Sequence, residues 1–146
     1  MYTTALLLHV LAATIWTGGH IVLSTVVLPK ALQEKSLDRI RNFENGYEKI
    51  GVPALIIQVI TGVILANNLI GNGTWFDFSN PIARLVSFKL LLLALTIALA
   101  ADARLRIIPK LSENNLNALA WHIIPVTVVS VLFVIVGVSF RTGWFN

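Results

Sequence analysis

The chain reads as all-α, an antiparallel bundle of four transmembrane helices, and three observations predict it. Of its 146 residues, 56% are hydrophobic and only 12% are charged, against about 25% charged residues in ordinary globular proteins. The mean hydropathy is +0.80. Four windows of about 20 apolar residues, each long enough to cross a bilayer, are separated by short polar joints. This composition excludes a water-soluble enzyme. The length of 146 residues predicts a single domain, residues 1–146, with no large extramembrane module. With no cysteine, disulfides, thiolate metal sites and iron–sulfur clusters are excluded, so any metal or cofactor takes nitrogen or oxygen ligands, or the thioether of Met1.

The first window, residues 4–29, follows a stretch that carries no charge from Met1 onward. It lacks a basic leader segment and is too long for a cleaved signal peptide, so a retained span is expected, closed by Pro29. In the joint that follows, Leu37, Ile40, Phe43 and Tyr47 recur at helical spacing within residues 36–49. They predict a short amphipathic helix lying at the membrane surface. The second window, residues 51–70, ends at Gly71 and Gly73. The third, residues 84–107, is preceded by Pro81 and stopped by Pro109. The fourth, residues 116–140, contains Pro125, which predicts a kink and a freed carbonyl.

Orientation follows from Lys and Arg, which favour short cytoplasmic loops. Lys30, Lys35, Arg39, Arg41, Lys49, Arg104, Arg106 and Lys110 fall in the first and third joints, against Arg84 and Arg141 at the opposite side. Both termini and the loop before Pro81 are therefore expected on the extracytoplasmic side of the inner (plasma) membrane, with Trp75 and Trp144 at the interface. The formal charge of +4 reads as a topology signal. No nucleic-acid motif is present, and the lipid bilayer is the expected partner. Self-association into a homo-oligomer is left open.

An ionisable side chain inside hydrocarbon costs about 2.5–3.5 kcal/mol on insertion scales, so each one needs a partner or a task. His9, His20, Lys89 and His122 meet that description, and all three histidines of the chain lie in spans. His9 and His20 are eleven residues apart, about 1100° around the helix, so they share one face with Trp16, Thr17 and Ser24. Ala12, Ala13, Gly18 and Gly19 on the same helix allow a neighbour to come close. The helical rise places His9 with Lys89 in an outer layer and His20 with His122 in an inner one. About 16 Å separates the two layers, too far for one small metal ion.

A bundle interior can hold a haem between imidazole ligands. His20 and His122 are the expected inner haem ligands, with Trp16 and Trp121 as walls and Arg104 or Arg106 on the propionates. His9 and Lys89 form the outer site, either for a second haem ligated by His9 or for a substrate whose carboxylates pair with Lys89, the candidate catalytic residue. Alternatively, the histidines and the Met1 sulfur pass copper as Cu(I). A third reading is a structural, partner-binding subunit. Asp102 is read as the ion-pair partner of Arg104 or Arg106, about 220° from Lys89 around its helix. Gln58 and Thr61 are read as interhelical hydrogen bonders.

The run from Leu8 through Trp16, Thr17, Gly18 and Gly19 to Leu28 and Pro29 resembles the opening helix of the CopD-type integral membrane proteins. Tyr47 to Pro53 leading into Thr61 and Gly62, the Trp75 loop, Lys89 to Leu92 and the region of Gly137 extend the likeness to the standalone four-helix form of that family. More distantly, the chain resembles the HemJ-type protoporphyrinogen oxidases, in which a helix-1 histidine and a helix-3 lysine are functional and fall on His9 and Lys89. The first resemblance implies copper uptake or resistance, the second haem b. Taken together, the expectation is a membrane protein binding one or two haem b groups and working in electron transfer or oxidation, with quinone, oxygen or porphyrinogen as partner. Copper transport without haem is the alternative.

Overall fold

The computed structural model describes residues 1–71 and 73–144. Four helices long and apolar enough to cross a membrane account for most of them: α1, Tyr2–Glu34; α2, Leu37–Ile70; α3, Pro81–Lys110; and α4, Leu116–Thr142. In the best 18-residue window of each, only 28% of the residues are buried inside the protein. That low share decides the solvent, because Leu7, Ile60, Leu91, Ile97 and Val128 point away from the bundle and the apolar outer surface fits lipid.

Helix α1 departs from expectation at its end. Pro29 does not close it, and the helix runs on to Glu34. Proline lacks the N–H that an α-helix needs, and a π-helical turn at Leu23–Val27 absorbs the mismatch, with the Leu28 amide donating five residues back to Leu23. The same device recurs in α3, where a π-turn at Ala103–Ile107 leads into the short 3₁₀ turn Ile108–Lys110 that holds Pro109. Helix α1 finally stops at Lys35, whose φ of 51° is left-handed.

Residues 37–49 also differ from the expected surface helix. They are helical, but continuous with the second span in the single 34-residue helix Leu37–Ile70. Their apolar stripe explains this. Leu37 and Ile40 are buried with Leu23, Leu28, Ala31, Leu116, Leu119 and Ile123 in a core at the basic end of the bundle, with Phe43 packed against it. Burying a Leu or Ile side chain contributes about 1.5–3 kcal/mol, so the stripe docks on α1 and α4. Pro125 sits inside the continuous α4 helix.

The helices are arranged α2–α1–α4–α3, and α2 meets α3 only sparsely. Close approaches rest on small side chains. Thr96, Ser130 and Ser139 are almost fully buried and donate to carbonyls of their own helices, at Leu92 (2.9 Å), Thr127 (2.7 Å) and Ile135 (3.1 Å). Thr127 Oγ1 reaches the His20 carbonyl at 3.1 Å, and Thr17 Oγ1 reaches the Ser130 carbonyl at 3.3 Å, tying α1 to α4. Tyr47 ties α2 to α1, its hydroxyl donating to the Trp16 carbonyl at 3.0 Å. Its ring fills the space that a side chain at Gly19 or Gly51 would occupy.

Candidate functional site

Toward the end that holds the termini, the four helices line a partly open cavity of about 640 Å³, apolar over most of its wall. Helix α1 contributes His9 and Trp16, α2 contributes Gln58 and Gly62, α3 contributes Lys89, and α4 contributes Gly137 and Phe140. Trp75 closes one side. Its indole donates to Asn67 Oδ1 at 3.1 Å, and its carbonyl accepts from Ser87 Oγ at 2.8 Å, so the loop bridges α2 and α3. Trp75, expected at the membrane interface, lines the cavity wall, and Trp144, expected there too, is 68% exposed.

The imidazole of His9 is held by Thr61. The Thr61 hydroxyl donates to the Ile57 carbonyl one turn back at 2.6 Å, so its oxygen is left to accept from His9 Nδ1 at 2.9 Å. With the Thr61 proton engaged at Ile57, the tautomer protonated on Nδ1 satisfies this bond and keeps a lone pair on Nε2, the state in which an imidazole binds a metal. Gly62 makes room for the ring, since a Cβ there would stand 3.3 Å from His9 Cε1. Gly137 does the same for Lys89, where a Cβ would stand 3.3 Å from Nζ.

Lys89 carries its ammonium into the same cavity. Among the described residues it makes no ion pair or hydrogen bond, and its nearest polar attraction is the face of Phe140, 5.5 Å from Nζ to the ring centroid. Two more polar atoms at the cavity are buried without a partner, Trp16 Nε1 and Gln58 Oε1. Leaving such an atom unsatisfied costs about 1–3 kcal/mol.

The sequence-predicted residues thus fall into separate groups. His9 and Lys89 share the cavity, joined by Trp16. His20 and His122 do not line it. His20 donates from Nδ1 to the Trp16 carbonyl at 2.8 Å, and its ring is packed between Trp16, at 4.4 Å between centroids, and Tyr47, at 5.8 Å. His122 turns both nitrogens to acceptors, Nε2 to Asp102 Oδ2 at 2.7 Å and Nδ1 to the Ala118 carbonyl at 3.1 Å. In that arrangement it has no lone pair to offer a metal. Trp121, expected as a wall, is 77% exposed on the outside of the bundle. Arg106 pairs with Asp102 at 3.3 Å, and Arg104 pairs with Glu48 across helices. Among the described residues no three His, Asp or Glu side chains converge.

Sequence reasoning missed Gly62 and Gly137 as the residues that admit the two polar side chains, and Asp102 as the partner of His122. For Asp102 a signal existed, because both residues stand near the basic ends of their helices.

The fold and cavity define a class, four-helix multi-pass membrane proteins with an imidazole and an ammonium in one intramembrane chamber. The sequence model of one family, CopD, copper resistance protein D, matches residues 41–140, and the chain belongs to that family. The matched segment holds Gln58, Thr61, Gly62, Lys89, His122 and Gly137, while α1, with His9, Trp16 and His20, precedes it. Nothing among curated proteins or solved structures matches the chain. The family's description reverses the order in which the sequence ranked the two cofactors. Copper gains support from it, and haem b and an oxidoreductase activity gain none.

Proposed function

We propose that this protein handles copper within the membrane, with the ion as cargo rather than resident cofactor and His9 as the residue that takes it. The observation that carries the reading is the bond from His9 to Thr61, which leaves Nε2 free on an intramembrane cavity in a chain of a copper resistance family. The donor set favours Cu(I) passing through over Cu(II) held tightly. One imidazole is present, and the Lys89 ammonium on the same cavity repels a monovalent ion half as strongly as a divalent one. The Met1 thioether, fully exposed at the start of α1, is a soft donor suited to Cu(I).

In this reading residues 1–146 work as one domain in the plasma membrane. The eight basic residues gathered at one end of the bundle favour that end in the cytoplasm and both termini outside it.

The test is Cu(I) loading of the purified chain under reducing conditions, read by competition with a coloured chelator. Wild type takes up about one ion per chain, His9→Ala loses at least about tenfold in affinity, and His122→Ala retains it. A wild-type protein that takes no copper overturns the proposal, and so does His9→Ala binding as wild type does.

A further inference from the structure

We propose that the cavity also binds an amphiphile bearing one carboxylate on an apolar chain, with the carboxylate seated on Lys89 Nζ. The proposal goes beyond copper handling and does not depend on it.

Size is the first argument. A cavity of about 640 Å³ equals the bulk volume of roughly twenty water molecules at about 30 Å³ each, far more than one ion needs. Its wall is made mostly of hydrocarbon from Leu, Val and Ala side chains, so the occupant has an apolar body.

Charge is the second. Lys89 sits in this apolar chamber with no carboxylate partner among the described residues, and a charge withdrawn from water needs a counter-ion. Every other described ion pair lies toward the basic end of the bundle, at Glu34–Arg39, Glu48–Arg104 and Asp102 with Arg106 and His122. Among the described residues none supplies the missing anion, and a bound carboxylate does so.

The size of the anion's charge is the third. A phosphate monoester carries about −1.5 to −2 charges, more than one ammonium balances, and the carboxylate is the better match. With the anion in place, the net charge around His9 falls and the repulsion of an incoming cation falls with it.

The experiment uses the full chain in nanodiscs of zwitterionic lipid without copper, with oleate as probe and empty discs as baseline. Saturable binding of about one oleate per chain is expected. Oleyl alcohol, of the same chain length but uncharged, binds at least about tenfold more weakly, as expected when a hydrogen bond to a charged group is lost. Lys89→Met weakens oleate by a similar factor, and Lys89→Arg restores most of it. Equal binding of acid and alcohol by wild type overturns the proposal and needs no variant to read. Unchanged oleate affinity in a folded Lys89→Met protein overturns it too, and a phosphate-headed lysolipid that outcompetes oleate overturns the choice of carboxylate. Copper loading is measured separately, so failure of one proposal leaves the other standing.

Discussion

Two adjacent glycines separate space from conformation at the residue scale. Gly18 has nothing within 4 Å of where a Cβ would stand, whereas at Gly19 that position falls inside the Tyr47 ring. Gly18→Ala is expected to stabilise the helix by up to about 1 kcal/mol, the difference in helix propensity between the two residues. Gly19→Ala is expected to cost about 1–3 kcal/mol through overpacking, and to weaken the Tyr47 bond to the Trp16 carbonyl. Thermal unfolding in detergent should give melting temperatures that move in opposite directions. The sequence made the polar side chains of the spans stand out, because His9, His20, Lys89 and His122 interrupt apolar runs. Their partners were beyond it. A helical wheel gives the direction of His9 but not the Thr61 oxygen opposite, and His122 turns to Asp102 through a rotamer choice that no periodicity encodes.

Proline is not by itself a stop signal in these helices, since α1 runs on past Pro29 to Glu34 whereas α3 ends at Lys110, directly after Pro109. Pro29 and Pro109 each follow a π-turn by two residues, and the extra residue in that turn removes the conflict between the ring and the carbonyl one turn earlier. The stop of α1 depends instead on Lys35, a lysine with φ of 51°. A side-chain residue held in the left-handed region costs about 1–2 kcal/mol, a cost glycine largely avoids. Lys35→Gly is therefore expected to raise the unfolding midpoint by the equivalent of about 0.5–1 kcal/mol, and an unchanged or lower midpoint would contradict the assigned turn. The positions of all four spans were legible from hydropathy. The ends were not, because residues 37–49 carry an amphipathic pattern that suits a membrane surface and a helical neighbour equally well. Only the presence of Leu23, Leu28, Leu119 and Ile123 on the facing helices decides between them.

For the whole molecule, four crossings put both termini on one face of the membrane. Reporter enzymes active only outside the cytoplasm, fused after Thr142 and within residues 111–115, should give opposite signals, and equal signals would contradict the crossing of α4. The proposed orientation adds that the fusion after Thr142 is the active one. Fold class was readable from composition alone, whereas the chamber was not, since its volume arises from how four helices diverge. The seam between α2 and α3 is the thinnest of the bundle, held at one end by the Trp75 loop and at the other by the Arg104–Glu48 ion pair. Mechanical compliance is greatest where least surface is shared. Lateral pressure from the surrounding acyl chains is therefore expected to act first on that seam, between its two ties.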